Sequence, residues 1–293
     1  MKDIISLHIE NLYRELRQNI SERTKKPLSG TTRNHVHRIL VNVFSSALKR
    51  RLIIENPMAG ILAPKLDCKE TKTLSPQDAS KFLKAIDNNT CKYINGLSNR
   101  VGAMFHLALE TGLRPEEYFA LKWNDLDFGD SENGISATLQ VRRVAIRTAN
   151  KNDWWFDEPK TQKSRRSVPL SAELVKRLKA QRENLEEWKG KAKEWNEHDL
   201  VFPNNKGEPH YPDSIRKLFK DILEKAKIDS TLYRLYDLRH SCATLLLRAN
   251  VHPKIVYERL GHSSVAITLD IYSHCVPTMQ ETATQSIVGM IYE

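Results

Sequence analysis

Two short stretches put an arginine where a helix should begin. In Thr111-Gly112-Leu113-Arg114-Pro115-Glu116-Glu117, the proline suits the first turn of a helix and the glutamates complement its positive end. Arg114 does not suit that end, because a cation beside the positive pole of a helix is locally unfavourable. Its position makes sense if an anion arrives to bind both. Tyr236-Asp237-Leu238-Arg239-His240 repeats the arrangement, with Asp237 expected to cap, Leu238, Cys242, Leu245 and Leu246 to form the buried face, and Arg239 to stay in the first turn. Two such arginines could grip one phosphate. Taken singly, each also fits a surface arginine or an ion-pair partner of a residue such as Glu117.

The chain that must position them has 293 residues, room for one large domain or two moderate ones. Hydrophobic residues make up 40% of it, which speaks against global disorder. The formal charge is +10, and residues 1–66 carry 12 Lys and Arg against 5 Asp and Glu, a block suited to a polyanion or to plain solvation. No apolar run is long enough to cross a membrane and no secretory leader is read at the start, so no membrane partner and a cytoplasmic location are expected. Cys68, Cys91, Cys242 and Cys275 show neither Cys-x-x-Cys pairing nor zinc spacing, so they are expected to be reduced, mostly buried and free of metal.

Apolar spacing predicts a first helix with Ile5, Ile9, Leu12, Tyr13, Leu16 and Ile20 on one face, and a second with Val36, Leu40, Val43, Phe44, Ala47 and Leu48. The second leaves Arg33, His37, Arg38 and Lys49 off the stripe, a face that fits a major groove or simple solubility. Ala63-Pro64 to Thr73 reads as a linker. Ser75-Pro76-Gln77-Asp78 then opens a helix through Ala85, and Val101–Glu110 forms another. Alternation over 135–146, 154–156 and 165–170 predicts a small antiparallel sheet. Leu174 to Trp195 mark a long charged helix, with helices continuing to the end. The fold class is therefore mainly α (α+β): a helical domain at 1–66 and, at 74–293, a mixed domain with a small antiparallel sheet.

Further pieces follow in order: Pro159-Lys160-Thr161 entering a turn, Leu260-Gly261-His262-Ser263-Ser264, and Thr268-Leu269-Asp270-Ile271-Tyr272-Ser273-His274. In that order and at those separations the chain resembles the tyrosine recombinases, the phage integrase family, from about Thr31 almost to the C-terminus. Arg114, Lys160, Arg239, His262 and Tyr272 match the family's catalytic motifs, with Lys160 on a β-hairpin. Where the family usually has histidine, three residues before the second arginine, this chain has Tyr236. A phenol still donates a hydrogen bond but is a poorer proton carrier near neutral pH.

The chemistry explains the residue types. Tyrosine ionises near pH ~10, and a phosphodiester already carries negative charge, so cations must stabilise the five-coordinate transition state. Arg114 and Arg239 would hold the non-bridging oxygens, with no cofactor and no metal required. The resemblance implies that Tyr272 becomes joined to a 3′ phosphate, that Lys160 protonates the departing 5′ oxygen, and that His262 hydrogen-bonds the phosphate. Glu117 is assigned to orienting Arg114, and His240 either supports the site or is a satisfied structural histidine. Lys163, Arg165 and Arg166 are expected either to contact backbone phosphates or to be plainly exposed.

The resemblance further implies a core-binding domain followed by a catalytic domain, clamping double-stranded DNA attachment sites as a homo-tetramer. Accessory DNA-bending or directionality proteins would assist it in the nucleoid of a bacterial host, on behalf of a prophage or other mobile element. Longer members carry an arm-binding domain, which is not read ahead of the first helix. The apolar end around Ile287, Val288, Met290 and Ile291 is expected to dock on a neighbouring protomer or on its own domain. A non-catalytic DNA-binding relative and a type IB-like topoisomerase are the alternative functions.

Overall fold

The computed structural model describes residues 4–21, 25–67, 72–88, 97–130, 136–148 and 153–262, with 284, 287, 288 and 291 beyond them. Tyr272, three of the four cysteines and most of the apolar C-terminal stretch lie outside the described residues. The chain divides into two compact units, Met1–Glu70 and Thr71–Glu293.

The first unit is a helix pair. Helix α1 (Ser6–Gln18) buries Ile9, and α2 (Gly30–Lys49), capped by the Ser29 side chain, buries Phe44 and Ala47. Ile9, Phe44, Ala47, Ile53 and Met58 form its small core. His37 does not join a basic outer face. Its Nδ1 lies 2.7 Å from the Tyr13 hydroxyl, because positions 37, 40, 44 and 47 recur at helical spacing and form one stripe. Ile20 falls beyond α1, in a bridge with Pro27. The start of the expected linker is tied down: Asn34 donates to the Pro64 carbonyl (2.9 Å) and Asp67 accepts from the Gly30 N–H (2.7 Å).

The second unit surrounds one large core. Helix α3 (Pro76–Asp87) starts as its sequence dictates, with the Ser75 side chain accepting from the Asp78 N–H and proline in the first turn. Phe82 of α3 meets Phe105 of α4 (Leu97–Thr111) and Phe219 of α7 (Pro212–Lys225) edge to face, at 5.8 and 5.6 Å between centroids. Burying each of these rings contributes about 1.5–3 kcal/mol. Between α4 and α7 come the short α5 (Pro115–Phe119), the strands and α6 (Ala172–Lys191), which ends before Trp195. Helices α8 (Asp237–Arg248) and α9 (Pro253–Leu260) follow α7. Leu74 N–H donates to Ser241 Oγ at 2.9 Å, fastening the chain ahead of α3 onto α8.

Among the described residues the strands make two antiparallel sheets instead of one. Strands β1 (Leu126–Asp127), β2 (Thr138–Val141) and β5 (Arg166–Pro169) pair in the order β1-β2-β5, while β3 (Val144–Arg147) pairs only with β4 (Trp154–Asp157). The break falls at Arg142-Arg143, whose guanidinium groups both turn to the buried Asp125. In consequence Lys160 does not lie on the β-hairpin expected from the resemblance. It lies in the connection from β4 to β5, which joins two sheets.

Candidate active site

Arg114 occupies the N-cap position of α5, and Glu117 reaches back to accept from its backbone N–H at 2.8 Å. The same carboxylate accepts from Arg114 Nη1 at 2.9 Å, so the local conflict between cation and helix start is relieved within one turn. Arg114 Nη2 donates onward to the Gly261 carbonyl at 3.2 Å. Burial works against its charge, but Glu117 and the Tyr236 hydroxyl outweigh it and hold the pKa above the ordinary value.

Arg239, in the first turn of α8, is only 1% exposed. Its Nη1 donates to the Gly112 carbonyl and its Nη2 to the Leu260 carbonyl, each at 2.7 Å, while Nε has no partner among the described residues. Leu260 and Gly261 are neighbours, so adjacent carbonyls hold the two arginines side by side. Burial first, then the proximity of Arg114, brings the Arg239 pKa down to about 10, still well above neutral pH. Both glycines are required for this corner. Gly112 (φ +66) and Gly261 (φ +64) adopt the left-handed conformation, and Gly261 ends α9. A Cβ on Gly112 would stand 2.5 Å from Leu260 Cδ2.

His262 follows at once and is 7% exposed. Burial, Arg239 and Arg114 push its pKa down to about 3, so at neutral pH its ring is uncharged and serves as a hydrogen-bonding group. Tyr236 immediately precedes α8, with its ring centroid 5.2 Å from that of His240, whose own pKa is lowered chiefly by burial. Asp237 does not cap α8. It is the first helical residue, and its buried carboxylate accepts from the Arg234 N–H (2.7 Å) and pairs with Arg234 Nη2 (3.0 Å), closing the turn before the helix. Arg114, Tyr236 and Gly261 line a cleft of about 710 Å³ together with Trp154, Lys160 and Thr161. The structure therefore brings together Arg114, Tyr236, Arg239, His240 and His262, with the exposed Lys160 on the rim of the cleft. Tyr272 lies outside the described residues.

The other expected contacts divide. Arg38 and Lys49 are exposed on α2, and Arg33 is half-buried. Lys163 is exposed with its Nζ 5.8 Å from the centroid of the Tyr257 ring, and Arg165 pairs with Glu158. Arg166 is neither exposed nor available to backbone phosphates. Its side chain is 6% exposed and clamps Glu117 with two nitrogens, Nη1 to Oε1 at 3.1 Å and Nη2 to Oε2 at 2.9 Å. Glu117 thus serves two arginines, a role that its spacing from Arg114 alone does not reveal. Burial pushes the Glu117 carboxyl up, but Arg166 and Arg114 prevail and hold it below its ordinary range.

Two guanidinium groups at one carbonyl corner, beside a neutral imidazole and a phenol, make a receptor for a tetrahedral anion. The family model described as the phage integrase family matches residues 72–278. A XerC-like tyrosine recombinase of Caldanaerobacter subterraneus subsp. tengcongensis is 30% identical, with 97% of this chain and 71% of that protein covered. The ICEBs1 integrase of Bacillus subtilis is 26% identical over 99% of this chain and 77% of its own. Among solved structures, the Tn1549 transposon integrase in complex with transposon right end DNA matches with a TM-score of 0.73 at 21% identity, covering 100% of this chain and 87% of that one. The XerH site-specific recombinase bound to a palindromic difH substrate gives 0.66 at 21% identity, covering 97% and 72%. These two likenesses carry the fold. The chain belongs to the phage integrase family and is a DNA recombinase of the tyrosine class.

Proposed function

We propose that this recombinase cleaves and rejoins duplex DNA at the attachment sites of a prophage or other mobile element, with residues 1–66 as a core-binding domain and 74–293 as the catalytic domain. Arg114 and Arg239 hold the two non-bridging oxygens of the scissile phosphate and His262 donates a hydrogen bond to it. The Tyr272 oxygen attacks phosphorus and gives up its proton to solvent water. The bond from phosphorus to the 5′ oxygen breaks, and Lys160 supplies the proton to that oxygen. The products are a 3′-phosphotyrosyl protein and a free 5′ hydroxyl. Attack by a 5′ hydroxyl of a second duplex reverses the step and completes exchange with no external energy source.

The observation that carries this reading is Arg239. Among the described residues its guanidinium has only carbonyl partners, yet it lies buried beside a second arginine, and burying a charge without a counter-ion is costly. A phosphate arriving at that corner supplies the missing negative charge. Exposed Ile287, Val288 and Ile291 support docking of the C-terminal segment on a neighbouring protomer, within a tetramer on two duplexes. The same reading places the protein in the bacterial cytoplasm at the nucleoid, with DNA-bending or directionality proteins as accessory partners.

The test is a nicked duplex carrying the attachment region, which traps the covalent adduct when the short 5′ fragment diffuses away. The wild-type chain is expected to give a denaturation-resistant protein-DNA band, Tyr272→Phe none, and Arg239→Lys one that forms about 100- to 1,000-fold more slowly. An adduct undiminished in Tyr272→Phe, or its absence from wild type across the whole attachment region, would refute the proposal.

A further inference from the structure

The β4–β5 connection, α5 and the end of α9 meet at one side chain. Arg166 Nε donates to the Arg259 carbonyl at 2.6 Å, and Nη1 donates to the Ser164 carbonyl at 3.0 Å. Nη1 and Nη2 together hold both oxygens of Glu117, as described above. Each of these acceptors stands next to a different part of the active site. Ser164 closes the turn that begins at Thr161, directly after Lys160. Glu117 fixes Arg114 through its side chain and backbone. Arg259 immediately precedes the Leu260 and Gly261 carbonyls that hold Arg239 and Arg114, and His262 comes next. Arg259 is itself fastened, its Nη2 donating to the Glu110 carbonyl at 3.1 Å and the Pro169 carbonyl at 3.3 Å.

We infer that Arg166 is a positioning residue, the strut that sets Lys160, Arg114 and the Gly261-His262 corner against one another, and that it makes no contact with DNA. This rests on the catalytic roles proposed for those residues. The chemistry requires arginine. A planar guanidinium offers five N–H donors in a fixed fork, which lets one side chain satisfy a carboxylate and two carbonyls at once, whereas a lysine ammonium is a point charge on a flexible stem. The space is also fitted to it, because a Cβ on Gly261 would lie 3.0 Å from Arg166 Nη1 and 3.1 Å from its Cδ. A misplacement of about 1 Å among reacting groups costs on the order of 100-fold in rate.

Arg166→Lys and Arg166→Gln test this in the full chain, on the nicked duplex, with Tyr272→Phe as the control. Single-turnover rate constants at saturating DNA are taken from the exponential phase, where the fraction of folded protein alters amplitude but not rate. Both variants are expected to cleave about 10- to 100-fold more slowly, with DNA affinity and its salt dependence as in wild type. The double variant Glu117→Gln/Arg166→Gln is expected to be no slower than the worse single one, since the two residues act as a unit. A phosphate-contacting arginine would behave otherwise: affinity would fall and the slope of log K against log salt would drop by about 1. That result, or a wild-type rate in Arg166→Lys, overturns the inference. Absence of any wild-type adduct would instead overturn the function on which it rests.

Discussion

Glu117→Gln is the perturbation whose size follows most directly from the structure. The carboxylate is almost fully buried and accepts four hydrogen bonds, two from Arg166 and two from Arg114. Glutamine keeps the shape but removes the charge and turns one acceptor into a donor that faces two guanidinium groups. Breaking one partner of a buried ion pair costs about 3–5 kcal/mol. Arg114 is partly exposed and water can take up some of its charge, so the lower end, about 3 kcal/mol, applies here. For a unit the size of residues 71–293 that corresponds to a fall in Tm of about 6–12 °C.

The assay is thermal and denaturant unfolding of both proteins from pH 8 downwards. Because the folded pKa of Glu117 is lowered, its contribution to stability is fully present above the ordinary value of 4.5. It is lost as pH falls through the folded value. The gap between wild type and Glu117→Gln should therefore be constant from pH 8 to about 5.5 and should narrow only below 4.5. A difference under about 0.5 kcal/mol at pH 7, the size expected of an unremarkable surface change, would refute the ionic role of this carboxylate.

Gly112→Ala adds a Cβ 2.5 Å from Leu260 at a positive φ, so it should destabilise by about 2 kcal/mol or more and displace the carbonyls that hold Arg239; an unchanged melting curve would contradict this. Cys242 is buried, and its pKa is pushed up to about 11 chiefly by burial, so native protein at pH 8 should resist alkylation there while unfolded protein reacts, as peptide mass spectrometry would show. Phosphate at ten times its dissociation constant should raise the stability of wild type by about 1.4 kcal/mol and that of Arg239→Gln by clearly less, read as a shift in Tm. Tyr236→His should change the pH dependence of adduct formation between about pH 5.5 and 8, where an imidazole titrates and a phenol does not; superimposable profiles would remove this position from the proton path.

What could be read from sequence depended on how local the physics was. Arg114 stood out because it breaks a rule of helix ends within four residues of the proline and glutamates that frame it. Ser75 with Pro76 was legible for the same reason. The two-sheet arrangement was not, since it turns on Asp125 drawing two arginines out of an alternating run from 17 and 18 residues upstream. Nor was β1 legible, at two residues. Arg166 was hidden by composition, as one of several cations in a short stretch. A signal was nonetheless present: β5 alternates with a period of two, and Arg166 shares its face with Val168 and Leu170, both buried, while Arg165 and Ser167 point outward. His37 carried a comparable signal in its spacing from Leu40, Phe44 and Ala47.

These cases bear on how the site holds its charge. Among the described residues, three guanidinium groups, those of Arg114, Arg166 and Arg239, crowd one corner with a single carboxylate, Glu117, between the first two. Arg166 is fully engaged by protein acceptors. Arg114 is half satisfied, with Glu117 on one side and a carbonyl on the other. Arg239 has, among the described residues, carbonyls alone. The deficit of negative charge therefore increases from Arg166 toward Arg239. A second acidic residue at the corner would stabilise the empty protein and compete with phosphate for the same nitrogens. Leaving that position unfilled among the described residues, with backbone carbonyls fixing the arginines and His262 kept neutral, costs folding stability. It also keeps the donors oriented before substrate arrives, so little reorganisation remains to be made when charge develops on the phosphate.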